Sequence, residues 1–244
     1  MLCRWNELVG CGLDEAGRYR LRALEQVGPG RGRFATCLED GSRGLVEFYE
    51  VSQGEAAARL RIWEELRAAR CPYLLPVVDY GQVVWEGAEY VYLVTVRPEA
   101  CLGEVLDAGR LEVGEMREIA AAVLGGLAWL HERGWAHGTV GPETVVAVGD
   151  RTVLGVESIG VGGQAAELAD VRAVGRLLVA VGADAEGVMG RVAAGCLGGV
   201  GVGEALRTIH AEEDTKPKGE LRKLVWAATA MGATVAAVVV MNGW

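Results

Sequence analysis

Side chains that could do chemistry concentrate in one stretch, residues 129–146, which reads WLHERGWAHGTVGPETVV. It carries His137, Glu143 and the hydroxyl groups of Thr139 and Thr144. Histidine and carboxylates are the usual proton-transfer groups and metal ligands, whereas hydroxyls are poor bases and weak ligands at neutral pH. The stretch therefore has the frame of a catalytic loop with few groups that could react in it.

Composition limits the classes of function. Hydrophobic residues make up 51% of the 244-residue chain, which is enough for a sizeable core. A net charge of −9 and a pI near 5.0 argue against binding to a nucleic-acid backbone. The six cysteines form no CxxC pair and no cluster with histidine, so we expect reduced thiols and no metal site. They are Cys3, Cys11, Cys37, Cys71, Cys101 and Cys196.

Hydrophobic spacing divides the chain into two parts ahead of its C-terminal tail. The first part predicts strands, interrupted by a helix over residues 54–70 that ends before Cys71-Pro72. The second part predicts a long helix over residues 114–134, two short strands on either side of Gly149-Asp150, and further helices. The pattern indicates an α+β fold with a small antiparallel sheet followed by a mainly helical region.

This order of elements resembles the protein kinases over residues 17–210. The matching segments include RYRLRALEQVGPGRGRF for the first strand and glycine-rich loop, YLVTVRPEACLGEVL for the hinge near Val96 and Arg97, and ADVRAVGRLL for a central helix. The resemblance implies a bilobal fold, and we interpret the chain as a degenerate, bacterial Ser/Thr-kinase-like domain. The predicted segments are residues 1–16 (N-terminal extension), 17–96 (N-lobe), 97–210 (C-lobe with a truncated activation segment), 211–223 (polar linker) and 224–244 (transmembrane anchor).

The resemblance also shows which phosphate-binding groups are missing. The position of the family's strand lysine falls to Phe48 or Tyr49, and no lysine precedes Lys216. Gly28, Gly30 and Gly32 are the candidates for nucleotide binding in the glycine-rich loop, where Pro29 lacks an N–H and Arg33 replaces a third family glycine. Charge could come only from arginines, namely Arg31, Arg33 or Arg43.

The catalytic residues that the resemblance implies are also replaced. Thr139, Gly141 and Thr144 stand where the family has its catalytic Asp, Lys and Asn, and Ser158 stands for the magnesium-binding Asp. Glu157 is the one substitute ligand nearby, although it points to the opposite side if its segment is extended. The activation segment is reduced to Val161–Leu168.

The residues that do match the family are those that hold the backbone of the catalytic loop in place. His137, Pro142 and Glu143 match the catalytic-loop scaffold, and Asp170 matches the helix residue that braces it. We therefore expect a catalytically inactive pseudokinase that needs no cofactor and no metal, with ATP and magnesium relevant only under an alternative. His131 and His210 are expected to be exposed or capping residues.

The C-terminal segment predicts a membrane anchor. Residues 224–244 contain no charged side chain, and the apolar part to Met241 would span about 27 Å as a helix. Basic residues in Lys216–Lys223 predict that residues 1–223 are cytoplasmic. A small-xxx-small spacing could pair two such helices, although an alanine-rich composition explains it equally well. These small residues are Ala228, Gly232 and Ala236.

Three functional hypotheses follow. The leading one is a membrane-anchored pseudokinase that acts as a scaffold for a protein partner, with a possible homodimer through the membrane helix and no binding to nucleic acid. The alternative is a divergent kinase or nucleotide-binding sensor that retains ATP binding through arginines and Glu157. A third is an unrelated α+β membrane protein whose likeness to kinases is coincidental.

Overall fold

The computed structural model describes residues 5–13 and 17–211. Its residues form two compact units, divided between Arg97 and Pro98, one residue after the predicted boundary. The predicted anchor, including Ala228, Gly232 and Ala236, lies outside the described residues. Within the described ranges, no helix is both long and apolar enough to cross a membrane.

The first unit is built on a five-stranded antiparallel sheet with the strand order β1-β2-β3-β5-β4. A short 3₁₀ helix, Trp5–Leu8, comes before the sheet, and one helix lies between the third and fourth strands. The elements are β1 (Ala23–Gly28), β2 (Arg31–Cys37), β3 (Arg43–Glu50), α1 (Gln53–Ala69), β4 (Val77–Trp85) and β5 (Ala88–Val96).

The sequence explains the limits of α1 and the two faces of β2. Helix α1 begins with a capping box between Ser52 and Glu55 and ends at Arg70, whose left-handed backbone stops the helix before Cys71-Pro72. In β2, buried residues alternate with partly exposed ones, as expected for a strand with two different faces. Strand β3 is central, and its six inner residues are all buried.

The second unit is mainly helical. Its elements are α2 (Leu102–Ala108), α3 (Val113–His131), β6 (Trp135–Ala136), β7 (Val145–Val148), β8 (Arg151–Leu154), β9 (Gly160–Val161), α4 (Gln164–Ala180), α5 (Val188–Gly198) and α6 (Val202–His210). The short strands pair antiparallel, β6 with β9 and β7 with β8.

Helix α3 forms the centre of this unit. It packs against α4, α5, α6, β6 and β8, and Val123, Leu124, Leu127 and Leu130 are fully buried. Their spacing of three and four residues places them on adjoining faces of the helix. Helix α4 begins at Gln164, so the second half of the short segment predicted over Val161–Leu168 is helical, and only two residues separate β9 from α4. The α+β prediction is confirmed.

Candidate functional site

The candidate site in the second unit is the loop between β6 and β7, and His137 lies at its base. The imidazole is fully buried, its Nδ1 accepts the N–H of Thr139 at 3.3 Å, and its Nε2 lies 3.0 Å from the carbonyl oxygen of Gly155. Because Nδ1 is the acceptor, Nε2 carries the proton and donates to that carbonyl. Burial lowers the pKa of His137 below its usual value, so the ring is neutral and both its nitrogens are occupied.

Asp170, on helix α4, holds the start of this loop. Its carboxylate is 2% exposed and accepts the backbone N–H groups of His137 at 2.7 Å and Gly138 at 2.8 Å. The ring of His131 lies 3.1 Å from the same carboxylate. Burial acts to raise the pKa of Asp170, but the hydrogen bonds from His131, Gly138 and His137 outweigh it and lower the pKa. Asp170 is therefore an ionised brace between α4 and the loop.

The prediction for His131 was wrong. Its side chain is only 12% exposed, and it links the last turn of α3 to Asp170 on α4. The periodicity of α3 shows that residue 131 follows the buried Leu130, but it carries no signal for a carboxylate thirty-nine residues away. The packing of α3 against α4 brings the two side chains together.

The residues at the reactive positions of the loop satisfy one another. The Thr139 hydroxyl donates to the Ser158 hydroxyl at 2.6 Å. The Thr144 hydroxyl accepts the N–H of Gly141 at 3.0 Å and lies 2.9 Å from the carbonyl oxygen of Thr139. These groups close the loop on itself, and they include no carboxylate that could accept a proton or hold a magnesium ion.

Glu157 does not lie in an extended segment, the condition under which the sequence predicts that it points to the opposite side. Glu157 and Ser158 form a turn after β8, and the Glu157 carboxylate lies against Gly155. A Cβ atom on Gly155 would be only 2.5 Å from Glu157 Oε2, so the end of the glutamate side chain packs directly against the glycine. In the part of the chain that the structure describes, no three His, Cys, Asp or Glu side chains group so that they could hold a metal ion.

Pro142 and Glu143 connect the loop to α2. The N–H of Gly103 donates to the Pro142 carbonyl at 3.2 Å, and the Cys101 thiol donates to the Glu143 carboxylate at 3.3 Å. Burial raises the pKa of Cys101, and its hydrogen bond to Glu143 raises it further. The thiol therefore stays protonated and serves as a donor, and the loop is fastened at both ends.

In the first unit, the three loop glycines have three different surroundings. Gly30 has a positive φ of 63° in the turn between β1 and β2, and a Cβ there would lie 3.1 Å from the Cβ of Glu50. Gly28 has space around it, with only Arg31 within 4.0 Å of such an atom. A Cβ added to Gly32 would point to the face of the sheet opposite to Arg31 and Arg33, where it would lie 2.6 Å from the ring of Trp5.

Strand β3 carries a carboxylate, Glu47, beside the two positions that match the family's lysine, Phe48 and Tyr49. Phe48 is 3% exposed and packs in an aromatic cluster with Phe34 at 5.7 Å between ring centroids. Tyr49 lies on the other face, 5.9 Å from the ring of Trp63 on α1. On that second face, the neighbouring Glu47 is buried, and no feature of its own segment had singled it out.

The Glu47 carboxylate forms ion pairs with both arginines of the glycine-rich hairpin, which consists of β1, β2 and the turn between them. Its two carboxylate oxygens lie 2.7 Å from Arg31 and 2.5 Å from Arg33, and Tyr49 donates its hydroxyl to the same group. Burial acts to raise the pKa of Glu47, but Arg33 and Arg31 outweigh it and lower the pKa, so the carboxylate is ionised. Arg59 of α1 stacks on Tyr49 at 4.8 Å.

This ion cluster borders an open space. A cavity of about 220 Å³ is lined by Gln26, Gly28, Pro29, Arg31 and Arg33. The arginines that could attract a phosphate there already carry a buried counter-ion, which weakens the attraction for an external anion. The cluster could have been anticipated only from the pairing of β2 with β3, where Arg33 lies directly opposite Glu47.

Comparison with known proteins finds similarity in fold but none in sequence families. No family model matches the chain, and no curated protein matches it in sequence. Among solved structures, 1999 chains match it in fold. One is the pseudokinase domain of BIR2, an immune regulator of the RLK/Pelle family, with a TM-score of 0.59 and 15% identity over 80% of this chain and 81% of that chain. The chain therefore has a protein kinase-like fold, which removes the hypothesis of a coincidental likeness.

Proposed function

We propose that the chain is a pseudokinase, a kinase-like module that binds a partner and transfers no phosphoryl group. One observation carries the proposal: the loop keeps its Asp170 brace while Thr139 and Ser158 bond to each other at the positions that resemble reactive ones. Phosphoryl transfer requires a carboxylate near the attacking hydroxyl and oxygen ligands for magnesium. At neutral pH a hydroxyl group is a poor base, and it is a weaker magnesium ligand than the carboxylate it replaces.

The ion cluster in the first unit supports the same proposal. Kinases neutralise the phosphates of ATP with a cation near the glycine-rich loop. In this chain the buried Glu47 already pairs with Arg31 and Arg33, and no lysine precedes Lys216. The BIR2 domain provides a structural precedent, since it is described as a pseudokinase with a regulatory role.

Phosphate transfer from radiolabelled ATP with magnesium tests the catalytic part of the proposal. We expect no incorporation into the full-length chain or into a generic protein acceptor. The variant Glu157→Ala and a matched control at an exposed glutamate, Glu186→Ala, should be equally inactive. Incorporation by the wild type that disappears in Glu157→Ala and persists in Glu186→Ala would refute the proposal and show that transfer depends on Glu157.

We further propose that residues 224–244 anchor this module in a membrane with residues 1–223 in the cytoplasm. The support is the uncharged segment and the basic residues before it. The full-length chain should stay in the membrane fraction after carbonate washing, and a chain ending at residue 215 should be released. Equal release of both chains would contradict the anchor.

A homodimer through the anchor is part of the same proposal. Gly232→Ile would place a bulky side chain on the small-residue face, whereas Ala230→Ile places it about 200° around the helix. Crosslinking of the full-length chain should be lost in the first variant and kept in the second. If both variants crosslink like the wild type, the small residues have no role in pairing.

Nucleotide binding without transfer is the second candidate. The cavity beside Gly28, Pro29, Arg31 and Arg33 favours it, because two guanidinium groups border an open space. A thermal-shift measurement with millimolar ATP and magnesium separates the two candidates. We expect no shift for a scaffold, whereas a shift of several degrees that is lost in Arg31→Ala would establish the nucleotide sensor.

A further inference from the structure

The N-terminal segment of the first unit folds onto the sheet as an additional layer. We call residues 5–13 and 17–21 the strap. Its two arms pair through their backbones: the N–H of Gly10 donates to the Leu21 carbonyl at 2.6 Å, and the N–H of Leu21 donates to the Cys11 carbonyl at 2.9 Å. The strap is therefore an integral part of the first unit, whereas the sequence predicts only an N-terminal extension over residues 1–16.

Trp5 anchors the strap in an aromatic groove of the sheet. Its ring lies 5.4 Å from Tyr90, 5.8 Å from Phe48 and 6.2 Å from Phe34, measured between ring centroids, and the side chain is only 3% exposed. The ring also occupies the space that a side chain at position 32 would need, since an added Cβ on Gly32 would lie 2.6 Å from it. The glycine is what admits the tryptophan.

Gly32 connects this groove to the ion cluster on the other side of the sheet. It lies in β2 between Arg31 and Arg33, and successive residues of a strand point to opposite faces. Trp5 therefore presses on β2 from one face, and Glu47 holds the two arginines on the other. The hairpin of β1 and β2 lies at an edge of the sheet, so these two contacts clamp it from both sides.

The second arm of the strap contains a strained residue. Tyr19 has a positive φ of 51° and is only 8% exposed. A bulky residue adopts this conformation only when its surroundings hold it there. Burial raises the pKa of its hydroxyl, and so does the adjacent Asp79, which also lies 3.7 Å from Arg18 and 3.3 Å from Arg67. Release of the strap would relieve this strain.

We propose that the strap is a built-in conformational clamp on the hairpin of β1 and β2. In the closed state, Trp5 holds β2 in the position from which Arg31 and Arg33 reach Glu47. When the strap is released, the hairpin loosens and the ion cluster opens. The coupling is reciprocal, because two contacts that stabilise the same position of β2 must stabilise each other. This inference does not depend on whether the chain transfers phosphate.

Hydrogen exchange followed by mass spectrometry on the full-length chain tests the clamp. Gly32→Ala displaces the Trp5 ring, while Gly28→Ala adds the same methyl group to β1 where there is space for it. In Gly32→Ala we expect amides of residues 23–37 to exchange at least about tenfold faster while residues 98–211 keep the wild-type rate. In Gly28→Ala all rates should stay within about twofold of the wild type.

Two further variants keep the test decisive. If Gly32→Ala does not fold, Trp5→Leu takes its place, and the same pattern of exchange is expected. Glu47→Gln should in return speed the exchange of residues 5–13, whereas Glu64→Gln, at an exposed position on α1, should not. Fast exchange of the strap with a hairpin at the wild-type rate would overturn the clamp, as would an unchanged strap in Glu47→Gln.

Discussion

Replacement of Asp170 by alanine should destabilise the second unit by about 3 kcal/mol. The carboxylate accepts two backbone N–H groups, from the buried His137 and from Gly138. Without it, these groups lose their acceptor, at a cost of about 1–3 kcal/mol for the buried one and about 1 kcal/mol for the other. Small domains are stable by only about 5–15 kcal/mol, so the loss is a large fraction of the total. Asp107→Ala, at an exposed position on α2, is the matched control.

Urea unfolding followed by circular dichroism measures this difference, and hydrogen exchange over α3 and α4 assigns it to the second unit. A loss below about 1 kcal/mol, or one equal to that of Asp107→Ala, would refute the brace.

The same carboxylate predicts a pH dependence. Folding lowers the pKa of Asp170, so its contribution is complete above the ordinary value of about 3.9 and is lost as the pH falls through the lower folded value. Asp170→Asn should therefore lose less stability than the wild type between about pH 5 and about pH 3. An equally steep decline in both proteins would contradict this assignment.

Three further predictions concern other parts of the fold. Glu47→Ala should lower the free energy of unfolding in urea by about 2 kcal/mol, because it leaves two partly exposed arginines without their carboxylate. The control Glu64→Ala should change it little, and equal unfolding midpoints for the two variants would contradict the buried ion pairs. Gly30→Ala should cost about 1 kcal/mol by the same measurement because of its positive φ, and an unchanged stability would mean that the turn relaxes. Burial raises the pKa of Cys196 to about 11, so at pH 8 a thiol reagent should modify the exposed Cys11 long before Cys196, and the reverse order would contradict the burial.

Several features of the fold were predictable because their signals are local. The helix expected over residues 54–70 is observed at Gln53–Ala69, and the one expected over 114–134 is observed at Val113–His131. Both depend on apolar spacing, caps and the stop before Pro72, all of which act within a few residues. The kinase-like order of elements followed from such segments taken together, whereas the bacterial origin and the membrane anchor stay predictions.

The main omissions concern contacts between distant segments. Glu47 was missed because its partners lie on a neighbouring strand, and only the pairing of β2 with β3 brings Arg33 opposite it. The alternative positions for the family lysine, Phe48 and Tyr49, differ by one residue and therefore lie on opposite faces of the sheet. Glu157 was considered in an extended segment, but the chain turns there.

By itself, the sequence determined the class of fold and which residue types stand in the loop. Residue identity alone decides that no lysine precedes Lys216 and that Thr139 and Ser158 stand where the resemblance to kinases implies carboxylates. Only the tertiary structure decided which groups satisfy one another. It paired Thr139 with Ser158 and set Trp5 over Gly32. It also brought the ring of His131 and the backbone N–H of His137 to the carboxylate of Asp170. The physical reason is that these contacts depend on strand register and helix packing, which bring together residues that are far apart along the chain.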